Sequence, residues 1–416
     1  MELLTLLFLI CLLGDVLVRY WLARRQIRHV LTHRDDIPAA FEGRIGLNSH
    51  QRAADYTVAR SQLSVIERIV EAAVLVALTL LGGLQAINVA LGHLITSELW
   101  RQMALVGVVL LLLGIVGLAF SAWKTFHLEA RFGFNRMTPR LFIGDTLKML
   151  AVTLVLGVPL LALILWVMGA AGRDWAWWAW GIWIAFNLLI LWLYPSFIAP
   201  LFNRFTPLDD PQLSERIYGL ARRCHFGLSG LYVMDGSRRS AHGNAYFTGF
   251  GRHRRIVFFD TLLSRLNADE VEAVLAHELG HFAHHHIVRR VVVSFVTAGI
   301  LLQLLAWLAT QVWFYTGLGV LPQLASANDG LALVLFMLAL PVFTFWVTPI
   351  ASLLSRRDEF QADQYAVQQC GAAALSSALV KLYDDNAATL TPDPIHSAWY
   401  DSHPSAAVRI AHLSHG

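Results

Sequence analysis

Long apolar runs alternate with short polar connections along the chain, and several of these runs are long enough to cross a lipid bilayer. A helix of about 20 consecutive apolar residues spans the hydrocarbon core. Seven runs reach that length, at about 3–23, 69–91, 102–122, 147–170, 175–198, 291–316 and 331–354. The pattern predicts a mainly α-helical, multi-pass membrane protein with about seven transmembrane helices.

The polar stretch between the fifth and sixth apolar runs has the pattern of a small folded unit. A helix is predicted from the Asp210 N-cap to about Arg223. Three short β-like runs follow, separated by glycine and charged turns, at 230–235, 244–250 and 255–260. A second helix is predicted from the Asn267 cap, and it carries the sequence HELGHFAHHH toward the sixth apolar run. We therefore expect a small α+β unit beside the membrane helices.

Composition supports the membrane assignment and narrows the chemistry. Of the 416 residues, 56% are hydrophobic and 15% are charged, and the net charge of +3 is spread over loops, which argues against a nucleic-acid partner. Cys11, Cys224 and Cys370 are odd in number and far apart, so they indicate neither a disulfide framework nor a cysteine-based zinc site. Any metal must be held by histidines and carboxylates.

The distribution of arginine and lysine predicts the orientation in the membrane. Basic residues concentrate in the segments after the first and third apolar runs, which places those segments on the cytoplasmic side. The first run follows Glu2 and looks like an anchor whose N-terminus is outside. Segments 203–286 and 355–416 are then both expected in the cytosol.

These features predict four regions along the chain. They are an N-terminal transmembrane region (1–202), a cytosolic catalytic segment (203–286), a further transmembrane pair (287–354) and a C-terminal segment (355–416).

HELGH contains the pattern H-E-x-x-H on a predicted helix. His277 and His281 are four residues apart, so they project from one helical face and can both bind one ion. Glu278 lies beside them, where it could take a proton from a metal-bound water and deliver it to the leaving amine. The alternative interpretation is a group of surface histidines at the end of a helix near the membrane boundary.

The third ligand is expected from a distant carboxylate. A zinc site of the H-E-x-x-H-x-x-G-x-x-H type is excluded, because positions 284 and 287 hold His284 and Ile287. In SRRDEFQADQYA, Glu359 could complete a two-histidine, one-glutamate ligand set, and Asp363 could accept a hydrogen bond from a ligand ring. Asp358 is less favoured as a ligand, and an exposed acidic face is the alternative reading of this segment.

The remaining histidines of the stretch, His284, His285 and His286, are assigned no metal. We interpret them as residues at the membrane interface or as support for the ligands.

With these residues, the chain resembles the integral-membrane zinc endopeptidases typified by type I CAAX prenyl proteases. The resemblance covers nearly the whole sequence and includes several separated motifs besides HELGH. They are EARFGFNRMTP (129–139), LYPSFIAPLFNRFTPL (193–208), HGNAYFTGF (242–250), SRRDEFQAD (355–363) and SHPSAAVR (402–409). The resemblance implies a seven-span helical chamber around a large water-filled cavity, with one zinc ion near its cytosolic end.

The resemblance also implies roles for individual residues. They are the zinc ligands His277, His281 and Glu359, the general base Glu278, the supporting residue Asp363, and the edge-strand residues Asn244, Ala245 and Tyr246, which pair with the backbone of an extended peptide. His403 and Arg409 match a late His-Pro motif and are expected to stabilise the oxyanion or buttress the site. For these two the alternative is a helix cap and a surface charge.

The predicted function is therefore a membrane-embedded zinc endopeptidase. Its expected substrate is a peptide or protein, with or without a lipid on a C-terminal cysteine. A composition rich in Ala, Leu, Arg and Trp favours a bacterial inner membrane, where prenylated substrates are not expected; in a eukaryote the endoplasmic reticulum would be expected.

Three other functions compete with this prediction. A quality-control protease for membrane proteins is compatible with the same motifs. An intramembrane protease that uses Asp329-Gly330 is disfavoured, because Asp329 is predicted on the outer side, a bilayer away from His281. A zinc transporter or sensor is disfavoured because no predicted span carries paired His or Asp residues near its middle.

Overall fold

Long helices form most of the N-terminal half of the chain. The structure is a computed structural model that describes residues 2–249, 254–323 and 327–415. The helices of this half are α1 Leu3–Thr32, α2 Leu47–Leu78, α3 Gly83–Leu94, α4 Glu98–Trp123 with a π-helical continuation Lys124–Glu129, α5 Pro139–Ala170, α6 Trp175–Leu193 with a π-helical continuation Tyr194–Ile198, and α7 Ala199–Phe202. Short 3-10 turns occupy Ala39–Phe41 and Gly172–Asp174.

A small α+β unit follows. Its elements are β1 Phe205–Pro207, α8 Pro211–Arg223, β2 Leu228–Met234, a 3-10 turn Gly236–Arg238, β3 Ala245–Thr248, β4 Arg254–Phe259, α9 Asp260–Leu263 and α10 Ala268–Ala283. The sheet has the order β1-β2-β4-β3, with β2 parallel to β4 and the other pairs antiparallel. Strand β1 was not predicted, and the end of the predicted run 244–250 lies outside the described residues. Among the described strands, β3 is terminal.

The C-terminal part returns to long helices and ends in shorter ones. They are α11 His286–Leu308, α12 Val312–Thr316, α13 Asp329–Thr344, α14 Thr348–Cys370, α15 Ala372–Asp385, α16 Pro394–Tyr400 and α17 Ala406–His415. A single 3-10 turn, Phe345–Val347, joins α13 to α14. The segment that carries Glu359 is therefore the direct continuation of the last apolar helix.

The prediction of a helical membrane protein with about seven spans is confirmed. In the described part of the chain, six helical segments are long and apolar enough to cross a bilayer. The α2–α3 pair, bent by 50°, passes the same test when its two helices are taken together, which gives six or seven membrane-capable helices. Gly82, with φ +81°, allows the turn between α2 and α3. The bounds predicted for the second and sixth spans are wrong, since α2 already begins at Leu47 and α11 ends at Leu308.

A polar face explains why the part of α2 before residue 69 escaped prediction. Its polar residues recur at helical spacing and line an internal cavity, so they do not face lipid. They are Thr57, Arg60, Ser61, Ser64, Glu67, Arg68 and Glu71. Averaged hydropathy cannot separate this one-sided pattern from a loop.

The two largest of four apolar cores among the described residues hold most of the molecule together. One joins the membrane helices, with fully buried Phe8, Leu84 and Leu335. The other packs α8, α10 and α15 against the sheet around Leu275 and Phe258. In the second core, which lies outside the apolar spans, each such buried side chain stabilises the fold by roughly 1.5–3 kcal/mol relative to one exposed to water. The second core fixes helix α10, which carries HELGH.

Helix α10 begins with a complete capping box. The Glu270 backbone N–H donates to Asn267 Oδ1 at 3.0 Å, and the Asn267 N–H donates to Glu270 Oε2 at 2.8 Å. The helix ends at Ala283, and His285 adopts a left-handed conformation with φ 55°. The prediction that this helix carries all of HELGHFAHHH is therefore wrong. His284 and His285 lie in the turn after α10, and His286 is the first residue of α11.

Candidate active site

The two histidines of HELGH and a glutamate from α14 converge at one point. His277 Nε2 lies 3.4 Å from Glu359 Oε2, and His281 Nε2 lies 3.4 Å from Glu359 Oε1. One donor atom from each of the three side chains falls within 4.8 Å of the others. His277 and Glu359 are buried, with side-chain exposures of 8% and 3%.

This donor set fits a divalent metal ion. A tetrahedral ion with bonds of about 2.0–2.1 Å separates its ligand atoms by roughly 3.3–3.4 Å, and each histidine lies 3.4 Å from one of the two oxygens of the Glu359 carboxylate. Glu359 Oε2 is buried and has no hydrogen-bond partner among the described residues. A buried carboxylate oxygen without a partner is costly unless a cation occupies the space beside it.

Gly280, inside HELGH, permits the close approach of α10 to α14. A Cβ atom at this position would lie 2.9 Å from Ala362 Cα and 3.1 Å from the Ala362 carbonyl oxygen. Both are backbone atoms of α14, so the contact cannot be relieved by a rotamer change. The glycine thus lets Glu359 reach the two histidines.

Gly280→Ala is expected to destabilise the protein by about 1–3 kcal/mol, as overpacking of a tight interface typically does. Because the two helices must separate, Glu359 should also move away from the histidines and metal content should fall. Gly219→Ala is the matched control, since its Cβ would meet only the side-chain ends of Arg222 and Arg223, at 3.9 and 3.8 Å. Thermal unfolding and metal content of both variants in detergent test this; equal behaviour would contradict it.

His277 is held in place by a buried ion pair. Its Nδ1 lies 2.8 Å from Asp363 Oδ1, and Arg409 Nε donates to Asp363 Oδ2 at 2.8 Å. Asp363 is fully buried and Arg409 is 5% exposed. A carboxylate on the far ring nitrogen directs the other nitrogen of His277 toward Glu359.

His281 is oriented by residues to which the sequence assigned no individual role. Its Nδ1 lies 3.0 Å from His286 Nδ1, and His286 Nε2 lies 2.9 Å from Gln361 Oε1. His286 is only 1% exposed, whereas His284 and His285 are exposed. The clue available in the sequence was that His286 follows His281 by only five residues. Because the helix is interrupted at His285, the two rings come into contact.

Asp358 points away from the donor cluster. It forms ion pairs with Arg289 and Arg290 of α11, the second at 3.2 Å. Helical geometry separates adjacent residues by about 100°, so Asp358 and Glu359 face different neighbours. Asp358 instead connects α14 to the start of α11.

The protein environment changes the acidity of the residues on α10. Burial, with the nearby charge of His277, lowers the pKa of His281 to about 4, which keeps its ring neutral and able to bind a metal. Burial lowers the pKa of His277, but the carboxylates of Asp363 and Glu359 beside its ring outweigh this effect and raise the value. Burial also raises the pKa of Glu278 toward the range suited to a general base.

A cavity of about 1120 Å³ borders the site. Its lining includes Asn244, directly before β3, and His403, whose Nε2 is 3.4 Å from Glu359 Oε1. The His403 side chain is 59% exposed, so it can meet a molecule in the cavity. Ala245 and Tyr246 follow Asn244 in the terminal strand β3.

Asp329 is not near this cluster. It begins α13, while Glu359 lies roughly 45 Å further along the α13–α14 helices at 1.5 Å per residue. The structure thus separates Asp329 from the histidines.

Comparison with known proteins assigns the family. Residues 26–204 match the family model described as CAAX prenyl protease N-terminal, five membrane helices, and residues 207–416 match peptidase family M48. CAAX prenyl protease 1 of Saccharomyces cerevisiae is 34% identical over 331 residues, covering 77% of this chain and 73% of the relative. The CAAX prenyl protease 1 homolog of Homo sapiens is 32% identical, covering 72% and 70%.

The fold agrees with this assignment. The crystal structure of S. mikatae Ste24p superimposes with a TM-score of 0.90 at 30% identity, covering 99% of both chains. The predicted helical chamber fold, membrane location and metal-dependent peptidase activity are all confirmed by these similarities. The chain therefore belongs to peptidase family M48, together with the CAAX prenyl proteases, and is a multi-pass membrane metalloendopeptidase.

Proposed function

We propose that one zinc ion per chain is held by His277, His281 and Glu359, and that Glu278 is the general base for peptide hydrolysis. The observation that carries this proposal is the cluster of three donor atoms within 4.8 Å, one of them on a buried carboxylate with an unpartnered oxygen. Two histidines and one glutamate form a donor set of the catalytic zinc type.

When bound, zinc supplies Lewis-acid chemistry that acidifies a water molecule and polarises the scissile carbonyl. Glu278 lies on α10 directly beside His277 and is half-buried. Its raised pKa suits a group that first removes a proton from water and then gives that proton to the leaving amine.

Two further residues act around this centre. Asp363, paired with Arg409, holds the His277 ring in the orientation that ligation requires. His403 extends into the cavity beside Glu359, where its Nε2–H could donate to the oxyanion of the tetrahedral intermediate.

The peptide is expected to bind along β3. This strand is terminal in the sheet, so its outer backbone groups are available to an added antiparallel or parallel strand. Asn244 faces the cavity at the start of β3, and Phe247 packs on Phe282 of the HELGH helix with ring centroids 5.2 Å apart. Residues Asn244, Ala245 and Tyr246 would thereby hold an extended substrate close to Glu278.

We further propose that the substrate is a peptide whose lipidation is not required for cleavage. The named relatives are CAAX prenyl proteases, which supports a substrate with a C-terminal cysteine motif. The wall that α2 contributes to the cavity is polar, with Arg60, Ser61 and Ser64, and this favours peptide over an isoprenoid chain.

The basic segments near the membrane helices support an orientation with the N-terminus outside and the active site and C-terminus in the cytosol. The location that fits this composition is a bacterial inner membrane. The four regions 1–202, 203–286, 287–354 and 355–416 remain our proposed organisation.

A peptide library tests the proposed function. The library should contain matched farnesylated and unmodified peptides with a C-terminal cysteine motif, and mass spectrometry should identify the cleavage sites. We expect about one zinc per purified chain, cleavage of both members of each pair, loss of cleavage after chelation and recovery with added zinc. Cleavage of farnesylated members only would overturn the lipid-independent proposal; zinc transport in liposomes without any cleavage would overturn the assignment of peptidase roles.

A further inference from the structure

The segment EARFGFNRMTP (129–139) connects α4 to α5, and the proposed chemistry does not use it. It lies against the loop that leads into β3. The Ala241 backbone N–H donates to the Phe134 carbonyl at 3.2 Å, and Asn135 forms an antiparallel bridge with Ser240. A connection between two membrane helices thus pairs with the approach to the proposed peptide-binding strand.

Side chains reinforce this contact around His242. The His242 ring stacks on Phe134, with centroids 4.5 Å apart, and its Nε2 lies 3.7 Å from Glu129 Oε2. The other ring nitrogen of His242 lies 2.9 Å from Asn386 Oδ1. Tyr56 of α2 donates its hydroxyl hydrogen to Glu129 Oε1 at 2.7 Å. Glu129 therefore links two membrane helices to one side chain of the loop.

Glu129 is the last residue of a π-helical segment, Lys124–Glu129, that continues α4. Single π-helical turns inside α-helices are rare and frequently occur at functional sites. Glu129 Oε2 is buried and has no hydrogen-bond partner in the described part of the chain, and His242 Nε2 is the polar atom facing it.

A second attachment lies three residues before His242. Arg239 donates from Nε to Asp145 Oδ2 of α5 at 2.8 Å, from Nη1 to Asn203 Oδ1 at 2.9 Å and from Nη2 to the Phe202 carbonyl at 2.6 Å. The loop is therefore fastened to α4, α5 and the segment after α7.

His242 lies only two residues before Asn244, which directly precedes β3. His242 accepts a hydrogen bond at its carbonyl from Thr261 Oγ1 at 2.9 Å, and Asn244 accepts one from the Phe259 N–H at 2.9 Å. Two residues span at most about 7 Å, so a displacement of His242 must shift the start of β3.

We propose that Glu129 is a positioning residue for the peptidase reaction. Through His242 it fixes the start of β3 relative to the HELGH helix, so that a peptide bound along β3 presents its scissile bond to Glu278. This inference rests on the proposed peptide-binding role of β3. Helix α4 then contributes to catalysis without touching the substrate.

Glu129→Ala should lower kcat/KM about 10- to 100-fold, because misplacement by about 1 Å can cost that much. Most of the loss should appear in kcat, because a displaced β3 presents the bound peptide with its scissile bond out of line with Glu278, and metal content should stay at the wild-type level. Hydrogen exchange in residues 244–248 should accelerate, while exchange in α10 should not. Glu215→Gln removes an exposed carboxylate of α8 and is the matched control.

Further variants connect the effect to His242. His242→Ala should behave like Glu129→Ala, and the double variant should be no worse than either single one, because both remove the same contact. Glu129→Gln keeps the size of the side chain and the acceptor for Tyr56, so it should fold and recover part of the activity. If Glu129→Ala does not fold, Glu129→Gln can therefore be used to test the proposal in its place.

The proposal is overturned if folded, metal-loaded variants keep the wild-type kcat and the wild-type exchange in 244–248, or if the effects of the two single variants add. A proportional fall in kcat and metal content would also overturn it, since that pattern indicates general destabilisation. Failure of the wild-type chain to cleave any peptide would refute the proposed function, while hydrogen exchange would still decide whether Glu129 positions β3.

Discussion

Replacing Glu278 with glutamine is expected to abolish peptide hydrolysis while leaving the metal bound. Glutamine has nearly the same size as glutamate but cannot accept and return a proton. Loss of general acid–base catalysis typically lowers rates by about 10²–10⁴-fold, and we expect kcat to fall by at least this amount. Neither His277 nor His281 is altered, so the donor cluster with Glu359 should keep its affinity.

The measurement compares kcat, KM and metal content of wild type and Glu278→Gln, purified side by side. Glu215→Gln, on an exposed face of α8, controls for the loss of one carboxylate and should match wild type. Undiminished cleavage by a metal-loaded Glu278→Gln protein would show that another group is the base. Loss of metal together with activity would instead indicate that Glu278 contributes to metal binding.

Glu359→Gln is expected to remove both bound metal and activity. An amide is a much weaker ligand than a carboxylate, and it would leave a buried dication without its negative partner. Loss of residues that merely support a ligand costs about 10–100-fold in metal affinity, so we expect loss of the ligand itself to exceed 100-fold. Cleavage should be recovered only at high added zinc, if at all.

Asp358→Asn is the matched control, because Asp358 precedes Glu359 in the same helix and pairs with Arg289 and Arg290. It should lose some thermal stability but retain its metal, since asparagine still accepts hydrogen bonds from the arginines. Metal analysis after dialysis against a weak chelator separates the two variants. If Asp358→Asn loses metal and Glu359→Gln keeps it, the ligand assignment is wrong.

Much of the fold could be predicted because its signals are local. Apolar runs of about 20 residues identify membrane helices, as confirmed for α4, α5 and α6. The caps at Asp210 and Asn267 lie directly before helices α8 and α10, because capping needs only neighbouring residues. The part of α2 before residue 69 was missed, because the polar face of this helix is turned to an internal cavity, which only a three-dimensional arrangement creates.

In the site too, the residues that could be predicted are those whose relation is local in the sequence. The spacing of His277 and His281 places both on one face of a helix wherever that helix lies, so their partnership followed from the sequence. Glu359 was proposed from motif and topology, and the structure brings it to 3.4 Å from each histidine. The contact of His286 with His281 depends on the left-handed turn at His285, a conformation that is uncommon for any residue other than glycine and was not predicted here.

The sequence by itself therefore determined the membrane character, the helix that carries HELGH and the chemical types at the site, because these depend on periodicity and spacing within one segment. The tertiary structure alone decided how closely α10 approaches α14 at Gly280, which residues orient His281, and how Glu129 meets His242. Those contacts join residues far apart in the chain, and packing selects them only after the helices have assembled.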